Sequence, residues 1–137
     1  MPETAIRSVL TNEILEIRHQ VLWPEKPLEF VKVPDDENAF HFAMFVDDQL
    51  MSVISLFPDG ENMRFRKFAT IPEFQNKGLG SQLLKFAINY SQENHYKNIW
   101  CDARSNALGF YEKFGFSKFS QPFFKEEIEY YKISKML

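Results

Sequence analysis

The sequence predicts a mixed α/β fold, a sheet with helices packed on its faces, and three observations predict it. Apolar runs of strand length interleave with helical apolar faces along the chain. A length of 137 residues is the size of one ordinary domain. With 45% hydrophobic and 26% charged residues there is material for a core and no disordered profile. No repeat and no Gly/Ser-rich or Pro-rich linker divides the chain, so residues 1–137 read as a single domain.

The expected order is a strand and a helix, three antiparallel strands, then helix, strand, helix and two strands. Thr11 or Asn12 suits the cap of the first helix, whose Ile14, Ile17, Val21 and Leu22 fall at helical spacings before Trp23-Pro24 and Pro27 end it. Glu25 to Asn38, rich in proline and acid, reads as a long surface loop or irregular helix. His41 to Val46 and Leu50 to Phe57 are apolar runs of strand length around Asp47-Asp48-Gln49, a hairpin turn. Pro58-Asp59-Gly60 turns the chain again. Met63 and Phe65 then alternate with Arg64 and Arg66, but the next apolar residue is Phe68. The slip at Lys67 predicts a β-bulge, because one extra residue changes which side chains face the core.

After Pro72, residues Leu79, Leu83, Leu84, Ala87, Ile88 and Tyr90 form a helical apolar face that closes at Asn94-His95. Asn98 to Asp102 reads as a strand. Ser105 suits the cap of a helix carrying Leu108, Tyr111 and Phe114, with Gly115 as its left-handed stop. Phe116 to Ser120 and Glu127 to Ile133 complete the strands.

Composition removes several classes of function. Sixteen Lys and Arg against 19 Asp and Glu give a net charge of −3, no basic field for a nucleic acid. The one cysteine, Cys101, forms no intrachain disulfide, and within Ile99-Trp100-Cys101 it reads as a small buried hydrophobe. No His, Cys and carboxylate cluster has metal-ligand spacing, so no metal is expected. With no signal-like apolar block and no run long enough for a bilayer, the expectation is a cytoplasmic protein with no membrane partner.

Chemistry concentrates in Thr70 to Ser81, where a strand end passes through a glycine loop into a helix. Unpaired N–H groups at a helix N-terminus favour anions, and Gly78 and Gly80 let a phosphate approach the backbone. Lys77 adds charge, and the Gln75 amide both donates and accepts. A Walker loop fails because the lysine precedes the glycines. A dinucleotide fold would use Asp102 as its ribose carboxylate, but the loop from Thr70 to Gly78 is too long for that tight turn, and Leu83 holds the third glycine position. Taken alone, the glycines also fit an ordinary loop, and Tyr111 also fits a core aromatic.

Gln75-x-x-Gly78-x-Gly80, followed by Asn106-Ala107-Leu108-Gly109-Phe110-Tyr111-Glu112-Lys113-Phe114-Gly115-Phe116, resembles the GNAT family of N-acetyltransferases. The likeness extends to the expected bulge and to the element order, and is loosest in the first forty residues and at the C-terminus. It implies the acyl-CoA N-acyltransferase fold, a mostly antiparallel twisted sheet flanked by helices. It implies acetyl-CoA as cosubstrate, held in a splay between two strands, with its arm along Phe68-Ala69-Thr70 and its pyrophosphate on Gln75, Asn76, Lys77, Gly78, Leu79, Gly80 and Ser81. Asn106 matches a position that bonds the cofactor arm, and Tyr111 matches the family's general acid. The reaction implied is direct acetyl transfer to a primary amine in a ternary complex, with a homodimer possible. The alternative is a non-catalytic acyl-CoA sensor of the same fold.

No general base is assigned. Arg64, Arg66 and Lys67 fill the polar positions of the bulged strand, where some members carry a glutamate. A water chain, His41 or an acid of Asp35-Asp36-Glu37 are the candidates. If Arg64 or Arg66 faces the acceptor cleft, an anionic group on the acceptor follows. The acceptor itself is not named by the sequence, because such pockets come from variable loops.

Overall fold

The computed structural model describes residues 3–137. The chain opens with strand β1 (Thr4–Ser8) and helix α1 (Thr11–Leu22), then crosses Glu25 to Asn38 through two short 3-10 turns, Leu28–Val31 and Asp36–Asn38. Strands β2 (Phe40–Val46), β3 (Gln49–Asp59) and β4 (Asn62–Thr70) form an antiparallel meander. Helix α2 (Leu79–Glu93), strand β5 (Asn98–Arg104), helix α3 (Leu108–Glu112) and strands β6 (Ser117–Lys118), β7 (Phe123–Lys125) and β8 (Ile128–Met136) follow. One eight-stranded sheet runs β1-β2-β3-β4-β5-β8-β6, with β7 also on β8. Among the described residues only β4 and β5 pair in parallel. Among the described residues no helix is long and apolar enough to cross a membrane.

Alternation along the strands builds two apolar layers. On one face Met63 and Phe65 of β4 and Ile99 and Cys101 of β5 meet Leu83, Leu84 and Ala87 of α2 and Tyr111 of α3. On the other, Ile14 and Ile17 of α1 cover Ala43, Val53 and Ala69. Phe65 and Ala69 are four residues apart, yet they face opposite sides, which requires one extra residue between them. Pairing locates it. Val53 lies opposite Ala69 and Ser55 opposite Arg66, so two steps on β3 match three on β4. Lys67, at φ 56°, is the expected bulge.

Three local expectations differ. Helix α1 is capped by Leu10, whose N–H donates to the Glu13 carboxylate at 2.6 Å, because the Thr11 hydroxyl is turned to the His41 ring at 3.1 Å. Ser105 does not cap α3 but opens a 3-10 turn, and its hydroxyl donates to Glu129 at 2.6 Å. The final region holds three strands rather than two. Phe119 N–H still reaches the Lys132 carbonyl at 2.9 Å, but Pro122 has no N–H to continue the ladder, so β6 and β7 pair separately with β8.

Candidate functional site

Parallel pairing of β4 and β5 stops at Arg64 opposite Trp100. Beyond it β4 continues to Thr70 and β5 to Arg104 without a shared ladder, and the strands part. The bulge at Lys67 bends β4 along this stretch. A cleft of about 790 Å³ fills the gap and is lined from both faces of the sheet, by Phe65, Cys101 and Tyr111 from one and by Arg66, Asp102 and Arg104 from the other.

At one end of the cleft lies the start of α2. Pro72–Phe74 forms a 3-10 turn, Asn76 and Gly78 take positive φ of 63° and 82°, and the first helical bond runs from Gln82 N–H to the Gly78 carbonyl. The N–H groups of Leu79, Gly80 and Ser81 therefore have no acceptor within the helix. Gly80 sits against the end of β4, where a Cβ would stand 3.4 Å from Thr70 Oγ1 and 3.5 Å from Phe68 Cζ. Gln75 donates its side-chain amide to the Thr70 carbonyl at 2.9 Å, tying the loop back to β4. Of the residues expected to hold a cofactor, Phe68, Ala69, Thr70, Gln75, Asn76, Gly78, Gly80, Ser81 and Asn106 line the cleft. Lys77 and Leu79 do not. Lys77 lies over the Phe74 ring, and Leu79 is buried against Met44 and Val46, so only its backbone remains available.

Tyr111 is buried in an aromatic cage, with ring centroids 5.2 Å from Phe110, 5.8 Å from Phe65 and 5.9 Å from Phe116. Its hydroxyl has no hydrogen-bond partner among the described residues, and the residue lines the cleft. Burial holds its pKa well above 10, so it carries its proton at neutral pH. Cys101, close by, is buried, and that burial likewise pushes its thiol well up, so it is no nucleophile.

The opposite face is cationic. Asp102, the carboxylate placed at the ribose position by the rejected dinucleotide reading, accepts from Arg64 at 2.8 Å and from Lys125 and Lys132 at 2.9 Å. Burial raises its carboxyl, but the two lysines and Arg64 prevail and hold it below the usual range. Arg104 donates to the Leu22 carbonyl at 2.9 Å and lies over Trp23. Lys67 is pushed down to about 8 by burial and then by Arg66, Arg18, Lys125 and Arg104. Sequence reasoning missed Arg104, Lys125 and the depressed lysine; the alternation of Trp100, Asp102 and Arg104 with Ile99, Cys101 and Ala103 was the available signal.

Neither protein group considered as a base reaches the cleft. His41 is buried between the Ser55 hydroxyl at 2.7 Å and the Asp36 carbonyl at 2.8 Å. Asp36 is buried in the fork of Arg18, while Asp35 and Glu37 are exposed and do not line the cleft. Among the described residues no group of three or more His, Cys, Asp and Glu is arranged to hold a metal ion.

Residues 11–137 match the family model described as an acetyltransferase (GNAT) domain. The chain is similar to an uncharacterised N-acetyltransferase, YitI, of Bacillus subtilis, 30% identical over 86% of this chain and 85% of that one. Its fold matches a putative N-acetyltransferase from Lactobacillus plantarum with a TM-score of 0.86, at 17% identity over 99% and 98% of the two chains. It also matches a GNAT family acetyltransferase from Elizabethkingia anophelis with acetyl-CoA bound, with a TM-score of 0.79 at 18% identity over 98% of each chain.

Proposed function

The chain belongs to the GNAT acetyltransferase family, and we propose that it transfers acetyl from acetyl-CoA directly to a primary amine in a ternary complex. The observation that carries this reading is the parting of β4 and β5, which opens a single cleft onto both the start of α2 and Tyr111. The donor set suits an acyl-CoA: unpaired N–H groups at a helix start for a pyrophosphate, backbone at the end of β4 for a pantetheine arm, and the Asn106 side chain beside it.

Bound acetyl-CoA would supply a thioester carbonyl for the amine to attack. The N–H of Thr70, turned away from β3, would face the negative charge that develops on the carbonyl oxygen, whereas that of Ala69 is paired with Val53 across the β3–β4 ladder. A carbon–nitrogen bond forms, the carbon–sulfur bond breaks, Tyr111 gives its proton to the departing sulfur, and the second proton shed by the nitrogen as it becomes an amide returns through water to Tyr111. The acceptor ammonium loses its proton to water. A primary ammonium with pKa of about 10.4 resists that loss in water, but the burial and the neighbouring cations that hold Lys67 at about 8 would act on a cation in the same cleft. Positioning of the two reactants supplies much of the remainder. Acidic, cysteine-poor composition fits action in the cytoplasm.

The test is a thermal melt with acetyl-CoA, CoA, ATP or NAD, followed by thiol release with a panel of amines. Ligand at about a hundred times Kd stabilises by about 2.7 kcal/mol, and CoA species should do so well beyond ATP or NAD. Thiol release with an amine establishes transfer. Stabilisation without turnover of any amine would favour the sensor reading, and no stabilisation by CoA species would overturn both.

A further inference from the structure

The cleft is positive although the chain carries a net charge of −3. Among the described lining residues Asp102 is the one carboxylate, and it already serves three cations. Arg66 and Lys67 have no ion pair and no side-chain hydrogen bond among the described residues, and Arg104 has only a carbonyl. Arg66 is half-buried, with the Phe57 ring 6.0 Å from its guanidinium. Arg64 leaves a buried Nε unpaired. Half-buried cations without partners are costly to keep, and an arriving anion would relieve that cost.

Their side of the sheet matters. Arg64 and Arg66 alternate with the core residues Met63 and Phe65, so they project toward α1, away from α2 and Tyr111. Trp100, Asp102 and Arg104 alternate with Ile99, Cys101 and Ala103 in the same sense. The anion-binding start of α2 and this cationic floor therefore lie on opposite faces, joined through the gap between β4 and β5.

We propose that the acceptor is a primary amine bearing a carboxylate or phosphate group, which docks on Arg66 with Lys67 and Arg104 while the amine reaches through the gap. The proposal rests on the acetyl-transfer reading and names its substrate class. Guanidinium groups match planar carboxylate and phosphate oxygens. A polyamine would meet like charge on the same floor.

The experiment compares matched pairs, β-alanine with its amide and phosphoethanolamine with ethanolamine, in CoA-loaded melts and in acetyl-CoA turnover. The anionic members should raise Tm and react with at least about tenfold higher kcat/KM, the two pairs separating carboxylate from phosphate. Arg66→Gln should cost about tenfold to a hundredfold in kcat/KM for anionic acceptors, mostly through KM, and leave the CoA shift intact. If Arg66→Gln lowers Tm by itself, Lys67→Met gives the same readout. Equal performance of neutral members, or loss of the CoA shift in Arg66→Gln, would overturn the proposal. If no amine turns over, stabilisation by the anionic members that Arg66→Gln removes sustains it, and no such stabilisation overturns it. Failure of the acetyl-transfer reading looks different: acetyl-CoA would not raise Tm at all, or would raise it with no amine turned over.

Discussion

Arg18 holds Asp36 in a two-bond fork, Nη1 to Oδ2 at 2.8 Å and Nη2 to Oδ1 at 2.9 Å, with both side chains buried. The same guanidinium reaches the Val31 carbonyl at 3.1 Å and the Ser55 hydroxyl at 2.9 Å, so it pins α1 to the loop before β2 and to β3. Asp36→Ala would leave the Arg18 charge buried and unpaired. Chemical denaturation should show a loss of about 3–5 kcal/mol. A loss below about 1 kcal/mol would mean that water reaches Arg18.

His41 belongs to this network, and its burial, reinforced by the Arg18 charge, lowers its pKa below 6.5. Between 6.5 and the folded value the unfolded chain binds a proton that the folded chain does not. Stability therefore falls as pH drops below 6.5, and recovers toward neutrality. Asp36, also held low, loses its contribution only under more acid conditions, below 3.8. Melts of His41→Asn between pH 7 and 5 should show a shallower decline than the parent. An identical slope would assign the decline to other groups.

Tyr111→Phe keeps the ring in its cage and removes a hydroxyl with no protein partner, so Tm should shift little. With a general acid worth about 10²–10⁴ in rate, kcat should fall by about 10²-fold or more while acetyl-CoA binding stays the same. Loss of acetyl-CoA binding in the variant would recast the tyrosine as structural.

What was legible in the sequence was local. The slip at Lys67 is visible because strand alternation has a period of two, and Gly78 lies in a short segment whose left-handed turn it permits. The β4 half of the cationic floor, Arg64, Arg66 and Lys67, is legible as the polar positions of the bulged strand, but its β5 half is hidden because Asp102 and Arg104 come beside them only once strands joined by the whole of α2 are paired. Thr11 and Ser105 take other roles than the expected helix caps for a related reason. Each has a local role on paper, and each hydroxyl instead finds a partner distant in sequence, His41 or Glu129.

Gly78 and Gly80 should respond differently to alanine. Gly78 has open space around a Cβ but sits at φ 82°, so Gly78→Ala costs about 1–2 kcal/mol through backbone strain and should weaken CoA binding by moving the loop. Gly80 lies within α2 without positive φ, and alanine there gains helix propensity of about 1 kcal/mol while its Cβ makes ordinary van der Waals contact with Thr70 and Phe68. Gly80→Ala should therefore raise Tm slightly and leave the CoA Kd close to the parent's. Paired melts and titrations separate the two, and tighter CoA binding in either variant would remove this loop from the cofactor site.

Lys67 carries the last prediction. Its pKa falls from 10.5 unfolded to about 8 folded, through burial first and neighbouring cations second. Below pH 8 both states hold the proton and the full destabilisation is present. Between 8 and 10.5 the folded chain has released a proton that the unfolded chain keeps, so stability rises with pH across that window. Lys67→Met removes the titration and keeps the apolar stem, so it should be more stable than the parent near pH 7, by roughly 1 kcal/mol once solvent screening is allowed for. The advantage should vanish as pH approaches 10.5. Subtracting the two pH profiles cancels every other lysine and tyrosine, and a flat difference would place the Lys67 amine in open water rather than among Arg66, Arg104 and Lys125.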